Sequence, residues 1–287
     1  MPRVPNGVSN STAPPLSLPK SFSNRVIAML NVTPVRAFND NYIWLIRSPD
    51  NRFAAIVDPG DARPVLQTLR AENLTPVAIL ITHHHWDHTG GIGDLLKQYP
   101  NLIVYGPAGE RIPSRSKALK EGDTVELPEI GARFTVLDVP GHTAGHIAYY
   151  GEGALFCGDT LFGNGCGRLF EGTPVQMHAS LSKIAALPGD TLVYCAHEYT
   201  LDNIAFAKWV EPDNPDLLQR ERDSKALRER GLPTVPSRLE LERRTNPFLR
   251  FDELSVIRAA QKFAGRSLAA GAETFGMVRY WKDSKFD

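Results

Sequence analysis

The chain has 287 residues, of which 42% are hydrophobic and 22% charged, a balance that excludes collagen-like and disordered chains and predicts one or two globular domains. Its 32 basic and 32 acidic residues cancel, so we expect neither a nucleic-acid partner nor a membrane partner. With no apolar run of ~20 residues and too few cysteines for a disulfide framework, the sequence predicts a soluble, cytoplasmic protein.

Secondary-structure signals divide the chain into three parts. Residues 1–24, rich in Pro, Asn and Ser, are predicted to form a disordered N-terminal extension. Short β-rich runs then predict strands at 26–32, 42–47, 54–58, 77–82, 102–105, 134–139, 154–157 and 191–195. Amphipathic patterns between them predict helices at 62–72, 90–99 and 174–187. Strand signals stop near residue 197, and further helices are predicted at 201–209, 215–230 and 253–263. The expected domains are therefore 25–197 and 198–287.

The densest cluster of chemically active side chains directly follows the apolar strand 77–81. Five potential metal ligands lie there within six consecutive positions. In an extended segment, residues i and i+2 project to the same side, so His83 and His85 can hold one ion. Asp87 and His88, beyond the following turn, are available to a second ion. Imidazole and carboxylate without thiolate suit zinc, iron or manganese and favour an open, reactive centre.

Three further ligand candidates follow apolar strands at other places in the chain. His142 lies in a Pro-Gly-His-Thr-Ala-Gly-His segment, Asp159 follows Phe-Cys-Gly, and His197 follows the strand 191–195. Catalytic residues tend to lie on such loops at the ends of strands. Each candidate alone is weak evidence, but the repeated arrangement predicts that they converge on the same centre. A carboxylate such as Asp159 can bridge two cations.

The order His-x-His-x-Asp-His, then His, Asp and His, resembles the metallo-β-lactamase superfamily. This resemblance implies an α/β protein with a four-layer αββα sandwich, extended here by a mainly helical C-terminal domain. It also implies two divalent metal ions, with zinc expected and iron or manganese as alternatives. The ligands of the first metal are then His83, His85 and His142, those of the second are Asp87, His88 and His197, and Asp159 bridges the two.

The sequence around these ligands is similar to the glyoxalase II family. The similarity extends from about residue 27 to the C-terminus and is carried by the segments 38–42, 165–173, 196–200, 246–248 and 278–283. It implies hydrolysis of S-2-hydroxyacylglutathione, such as S-D-lactoylglutathione, to glutathione and a 2-hydroxy acid, the second step of methylglyoxal detoxification. The nucleophile implied is a metal-bound hydroxide, which Asp87 orients as a catalytic residue.

The same resemblance predicts which residues bind the glutathione part of the substrate. These are Arg168, Phe170, Tyr199, Arg279 and Lys282, the last two engaging the glycine carboxylate. One common form of the family motif has Lys and Tyr where this chain has Arg168 and Phe170. Arg168 keeps the positive charge, whereas Phe170 loses a hydroxyl hydrogen bond worth ~1 kcal/mol.

The same ligand set is compatible with three other functions. One is another hydrolase of the superfamily, such as a lactonase or a β-lactamase. A second is a persulfide dioxygenase with a single iron, which is expected to lack the helical C-terminal domain and the terminal Arg-x-x-Lys. A third is a metal-binding protein without catalytic activity. We expect a monomer.

Overall fold

The computed structural model describes residues 30–286. The predicted N-terminal extension and the first residues of the strand predicted at 26–32 lie outside the described residues. The first strand of the structure begins at Asn31 and continues to Ala37, so the prediction placed it too early. Pro34 concealed the true strand, because proline is compatible with a strand only at a sheet edge, and this strand is an edge strand.

The first sheet has six strands, which follow one another in chain order. They are β1 (Asn31–Ala37), β2 (Asn41–Arg47), β3 (Phe53–Val57), β4 (Thr75–Leu80), β5 (Ile103–Pro107) and β6 (Lys117–Leu119). The first two pairs are antiparallel, and the pairs from β3 onward are parallel. Parallel neighbours need a crossover. Here two crossovers contain the helices α1 (Ala62–Ala71) and α3 (Ile92–Gln98), and the short α2 (Trp86–Thr89) precedes α3.

The second sheet is built from later parts of the chain. Its strands are β7 (Thr124–Leu127), β8 (Ala132–Asp138), β9 (Ile147–Gly151), β10 (Ala154–Gly158), β13 (Leu192–Cys195) and β14 (Ser237–Arg238), in the order β14-β13-β10-β9-β8-β7. Between β10 and β13 lie a small hairpin, β11 (Leu161–Phe162) and β12 (Gly165–Cys166), and the helix α4 (Pro174–Ala185). Thr173 and Gln176 form a capping box at the start of α4, which confirms the predicted N-terminus.

The two sheets pack face to face with helices outside them. One core holds side chains of both sheets, including Trp44 and Leu80 from the first sheet and Phe134 and Tyr149 from the second. A separate core lies between the other face of the first sheet and α1 and α3. Helix α4 packs with the second sheet. These four layers are the αββα arrangement predicted from the sequence.

The C-terminal part of the described chain is mainly helical. It contains α5 (Thr200–Val210), α6 (Pro215–Glu229), α7 (Leu239–Thr245), α8 (Leu254–Ala264) and α9 (Ala272–Lys285). The predicted helices at 201–209, 215–230 and 253–263 are confirmed, whereas α7 and α9 were not predicted. Helix α9 packs on α4 and α8. Within residues 30–286, no helix combines the length and apolar character needed to cross a bilayer.

A buried polar network joins these helices to the β11–β12 hairpin. Arg220 forms an ion pair with Glu242, and both side chains are almost fully buried. Glu242 also accepts a hydrogen bond from the Asn164 backbone N–H at 2.8 Å, and the Asn246 side chain donates to the Gly165 carbonyl at 3.0 Å. Because each partner is buried, the network fixes the hairpin against the helices.

Candidate active site

The predicted metal ligands lie at the ends of strands from both sheets. His83 to His88 follow β4, Asp159 follows β10, His197 follows β13, and His142 lies between β8 and β9. Strands β10 and β13 are parallel, so their carboxyl ends lie at the same edge of the second sheet. The loop after β4 reaches this same edge, because His88 lies beside Asp159 and His85 lies beside His142.

Two glycines allow the loops to approach closely. A Cβ atom at Gly60 would lie 1.8 Å from the backbone oxygen of Asp87, and one at Gly158 would lie 2.3 Å from Oγ1 of Thr82. Gly158 also has a φ of +48°, which disfavours other residues. Larger side chains at either position would displace the loops that carry the candidate ligands.

The first group of ligand atoms consists of three imidazoles. The Nδ1 atom of His85 lies 3.1 Å from Nε2 of His83 and 3.0 Å from Nε2 of His142. His83 and His142 are buried, and His85 is partly buried. Three ring nitrogens this close together are a donor set that suits a divalent cation, and they form the group predicted for the first metal.

The second group lies next to the first and contains Asp87, His88 and His197. The Oδ2 atom of Asp87 is 3.5 Å from Nε2 of both histidines. Asp159 lies between the groups: its Oδ1 is 3.4 Å from Nε2 of His88 and 3.5 Å from that of His197, whereas its Oδ2 is 3.4 Å from Nε2 of His142. One carboxylate oxygen thus faces each group, the arrangement that a bridging ligand requires.

The chemistry of these residues fits divalent cations. Nε2 of His88 and Oδ1 of Asp159 are buried and have no hydrogen-bond partner within residues 30–286, and such atoms normally have one. Burial lowers the pKa of His88 and His197, but Asp159 and its neighbouring carboxylates outweigh burial and raise both pKa values above the ordinary range. The carboxylates of the site therefore favour positive charge, which divalent cations would supply in place of protons.

Two carboxylates that the sequence reading missed hold the histidines of the second group. Asp58 accepts hydrogen bonds from the backbone N–H and the hydroxyl of Thr82 at 2.8 and 2.7 Å, and its Oδ2 lies 3.0 Å from Nδ1 of His88. Its oxygens are thus already engaged, so we interpret Asp58 as a residue that orients His88. Asp40 holds His197 in the same way, with 2.7 Å between Oδ1 and Nδ1.

Three residues that are not candidate ligands make contacts around the loop that carries His142. Glu110 is buried and accepts hydrogen bonds from the Thr143 hydroxyl and from the Gly145 backbone N–H. His84 lies 2.9 Å from Glu110, which links the loop after β4 to the loop before β9. His146 stacks on His83 at 4.6 Å. No sequence motif pointed to Glu110, since nothing near it in the chain resembles a site.

A cavity of about 410 Å³ opens beside the metal-ligand groups. All five residues predicted to bind substrate line it. Its walls comprise His142, Asp159, Phe162, Cys166, Arg168, Phe170, Tyr199, Asp202, Asn203, Arg279 and Lys282. The helical C-terminal part thus contributes side chains to the same cavity as the metal-ligand loops.

The cavity walls are held by contacts between the two parts of the chain. Arg279 is buried, donates to the Cys166 carbonyl at 3.1 Å and pairs with Asp283 at 2.7 Å. Tyr199 stacks on His197, with ring centroids 4.7 Å apart and planes 9° apart. Burial raises the pKa of Tyr199 to about 12, so its hydroxyl stays protonated and can donate a hydrogen bond.

Two sequence profiles cover the chain in succession. That of the metallo-beta-lactamase superfamily matches residues 37–197, and that of the hydroxyacylglutathione hydrolase C-terminus matches residues 198–285. The hydroxyacylglutathione hydrolase of Nitrosomonas eutropha is 54% identical over 256 residues, which are 89% of this chain and 99% of that protein. The chain belongs to the hydroxyacylglutathione hydrolase family. The enzyme of that name from Alkalilimnicola ehrlichii is 56% identical over 255 residues, again 89% of this chain and 99% of the relative.

Solved structures show the same fold at lower sequence similarity. ETHE1 from Myxococcus xanthus is 25% identical, with a TM-score of 0.57 over 84% of this chain and 85% of that protein. TTHA1623, crystallised in a di-iron-bound form, is 28% identical, with a TM-score of 0.54 over 76% of this chain and 100% of that protein. The predicted family and fold class are therefore confirmed, and the fold family together with the ligand groups indicates divalent metal ions.

Proposed function

We propose that this protein hydrolyses the thioester of S-2-hydroxyacylglutathiones, with S-D-lactoylglutathione as the reference substrate. One observation carries the proposal: a cavity with cationic side chains adjoins the two metal-ligand groups at the edge of the sandwich. The cationic residues that line this cavity are Arg168, Arg279 and Lys282. The family relatives bear the name of this activity. The domain division at residues 197 and 198 belongs to the same proposal, with catalysis assigned to 25–197 and glutathione binding to 198–287.

The proposed metal ligands are the two groups described above, with Asp159 between them. Two divalent cations held there would lower the pKa of bound water and so would supply hydroxide near neutral pH. Asp87 has a role besides ligation. Asn41 donates a hydrogen bond to its Oδ2 at 3.0 Å, and the adjacent imidazoles of His197 and His88 outweigh burial and keep its pKa low. Asp87 therefore remains a carboxylate that can accept a hydrogen bond from the nucleophile and orient it.

The reaction adds a C–O bond to the thioester carbonyl carbon and breaks the C–S bond. The electrons of that bond leave with sulfur as the glutathione thiolate, and the products are this thiol and a 2-hydroxy acid. A thiol is a much stronger acid than an alcohol or an amine, so its anion departs without a dedicated proton donor. None is needed among the cavity residues, which bind and orient the substrate instead.

The cationic side chains suit the two carboxylates of glutathione. Arg279 and Lys282 are assigned to the glycine carboxylate, and Arg168, more than half exposed at the opening, to the glutathione chain near it. Tyr199 supplies a hydroxyl donor. Phe170 is 64% exposed and packs edge-on to His85 and His142, so it contributes apolar contact rather than a hydrogen bond.

The alternatives fit less well. A persulfide dioxygenase with one iron is expected to lack the C-terminal helices, and this chain has them together with Arg279 and Lys282. A lactonase or β-lactamase is disfavoured because the relatives that match most of the chain at 54% and 56% identity are named hydroxyacylglutathione hydrolase. A metal-binding protein without catalytic activity does not account for the cavity beside the ligand groups. We therefore retain thioester hydrolysis as the function.

Several finer assignments are part of the proposal. Zinc is the proposed metal in both positions, with iron or manganese as alternatives, since histidine and carboxylate ligands accept all three. Elemental analysis of the purified protein distinguishes them. We further propose a monomer located in the cytoplasm, which light scattering and cell fractionation test.

The decisive experiment measures thiol release from S-D-lactoylglutathione by the metal-loaded protein, with metal content determined on the same sample. Asp159→Asn should lose both metal and activity because it replaces a bridging carboxylate by an amide. Asp94→Asn, at an exposed position on α3, is the matched control and should retain both. Hydrolysis at the wild-type rate by metal-free Asp159→Asn would contradict the proposal.

A further inference from the structure

The cavity contains one carboxylate whose role the proposed function leaves open. Only two acids, Asp159 and Asp202, line this cavity in the described part of the chain. Asp159 lies between the metal-ligand groups and is committed there. Asp202 is exposed, and its side chain makes no hydrogen bond or ion pair with any of residues 30–286.

The position of Asp202 on its helix directs it to the substrate. It lies in the first turn of α5, three residues after Tyr199, and residues three apart share one face of a helix. Tyr199 stacks on His197 and also lines the cavity, so this face of α5 adjoins the metal centre. The next residue, Asn203, donates its amide to the Gly163 carbonyl at 3.0 Å and is fixed within the protein.

The substrate offers one group that this carboxylate can pair with. At neutral pH, the glutathione part carries two carboxylates and a single ammonium, on the γ-glutamyl residue. Arg168, Arg279 and Lys282 provide for the carboxylates but repel the ammonium. Asp283 is not available to it, because that acid already pairs with Arg279. Asp202 is therefore the carboxylate of the described cavity lining that can form an ion pair with the substrate ammonium.

Resting on the proposed function, we infer that Asp202 is a specificity-determining residue that binds the γ-glutamyl ammonium of the substrate. It selects glutathione thioesters from other anionic thioesters, which the cations alone would also attract. An acid in the first turn of a helix also stabilises the helix through its dipole. That structural role predicts a change in stability but none in substrate preference, so the two roles are separable.

The test compares two substrates on the metal-loaded enzyme. One is S-D-lactoylglutathione, and the other is its desamino analogue, in which a glutaryl group replaces γ-glutamyl. The wild type should have a KM about five- to tenfold lower for the substrate with the ammonium, the scale of one partly solvated charged hydrogen bond. Asp202→Asn should raise KM for that substrate alone, so that the two KM values become equal, with kcat changed less than twofold.

Asp216→Asn is the matched control, since Asp216 lies in the first turn of α6 and does not line the cavity. It should lose a similar, small amount of stability and keep the full substrate preference. An unchanged preference in Asp202→Asn, or equal KM values in the wild type, would overturn the inference while leaving thioester hydrolysis intact.

Failure of the wild type to hydrolyse either substrate would instead contradict the proposed function. Calorimetric binding of S-methylglutathione and its desamino counterpart then tests Asp202 without turnover. Weaker binding of the desamino ligand by the wild type, and equal binding by Asp202→Asn, supports the inference. Absence of binding, or a preference that persists in the variant, refutes it.

Discussion

The Asp58→Asn variant tests whether Asp58, which orients His88 and does not touch substrate, affects the metal affinity of the ligand group that contains His88. Asp58 is 4% exposed and receives three hydrogen bonds, two from Thr82 and one from His88. Its φ is +50°, a conformation that Asn tolerates, so the backbone is preserved. The amide retains one acceptor oxygen and places an NH₂ group where the second oxygen was.

The magnitude follows from the groups that lose their partner. If the amide oxygen keeps the His88 and hydroxyl contacts, the Thr82 N–H faces an NH₂ group, and an unsatisfied buried donor costs about 1–3 kcal/mol of unfolding free energy. His88 also loses the charged acceptor that fixes its ring. Loss of such partners typically lowers metal affinity ~10- to 100-fold. The position that contains His88 should weaken, and the His83, His85 and His142 position should not.

The assay is a competition titration of the metal-free protein against a chelator of known affinity, with thermal unfolding measured in parallel. Asp50→Asn is the control, because Asp50 is half exposed and lies in the turn between β2 and β3, at the opposite end of these strands from Asn41 and Asp58, with contacts to Ser48 and Arg52. Two ions bound with wild-type affinity in Asp58→Asn would refute the argument that Asp58 orients His88.

Three further predictions concern the cavity and the core. Phe170→Tyr should lower KM for S-D-lactoylglutathione about fivefold with kcat unchanged, because the added hydroxyl supplies one hydrogen bond; no change in KM would contradict its placement beside glutathione. Lys282→Ala should raise KM about tenfold, and a fall in kcat alone would count against its binding role. Arg220→Met should cost about 3–5 kcal/mol in urea unfolding because buried Glu242 loses its partner, whereas exposed Arg222→Met should cost less than about 0.5.

Local patterns in the sequence predicted the elements that carry the chemistry. The apolar strand before His83 ends in a loop as predicted, because a short apolar run followed by polar residues favours a buried strand and then a loop. The repeated strand-end arrangement predicted the convergence of His142, Asp159 and His197 on that loop, and the family resemblance assigned each residue to a metal position. In the structure, Oδ1 of Asp159 lies 3.4 Å from Nε2 of His88, and Oδ2 lies 3.4 Å from Nε2 of His142.

The orienting residues could not be predicted, for a physical reason. Asp40 and Asp58 act by accepting hydrogen bonds from histidines that are distant in sequence, and a single Asp after a strand more often serves a turn. Helix α9 was not predicted either, since Gly276 interrupts its helical pattern. Strand β9 follows a loop rich in Gly and His, which hid its start.

The origin of the proposed ligands in two separate sheets affects how the fold is held together. His83, His85 and His88 extend from the first sheet, whereas Asp159 and His197 extend from the second. A cation bound by both sets would therefore cross-link the two sheets of the sandwich. It would act as a disulfide does in other proteins, since the three cysteines of this chain are all unpaired. Loss of metal should then loosen the edge of the sandwich as well as stop turnover, so scarcity of metal in a cell would shorten the lifetime of the protein itself.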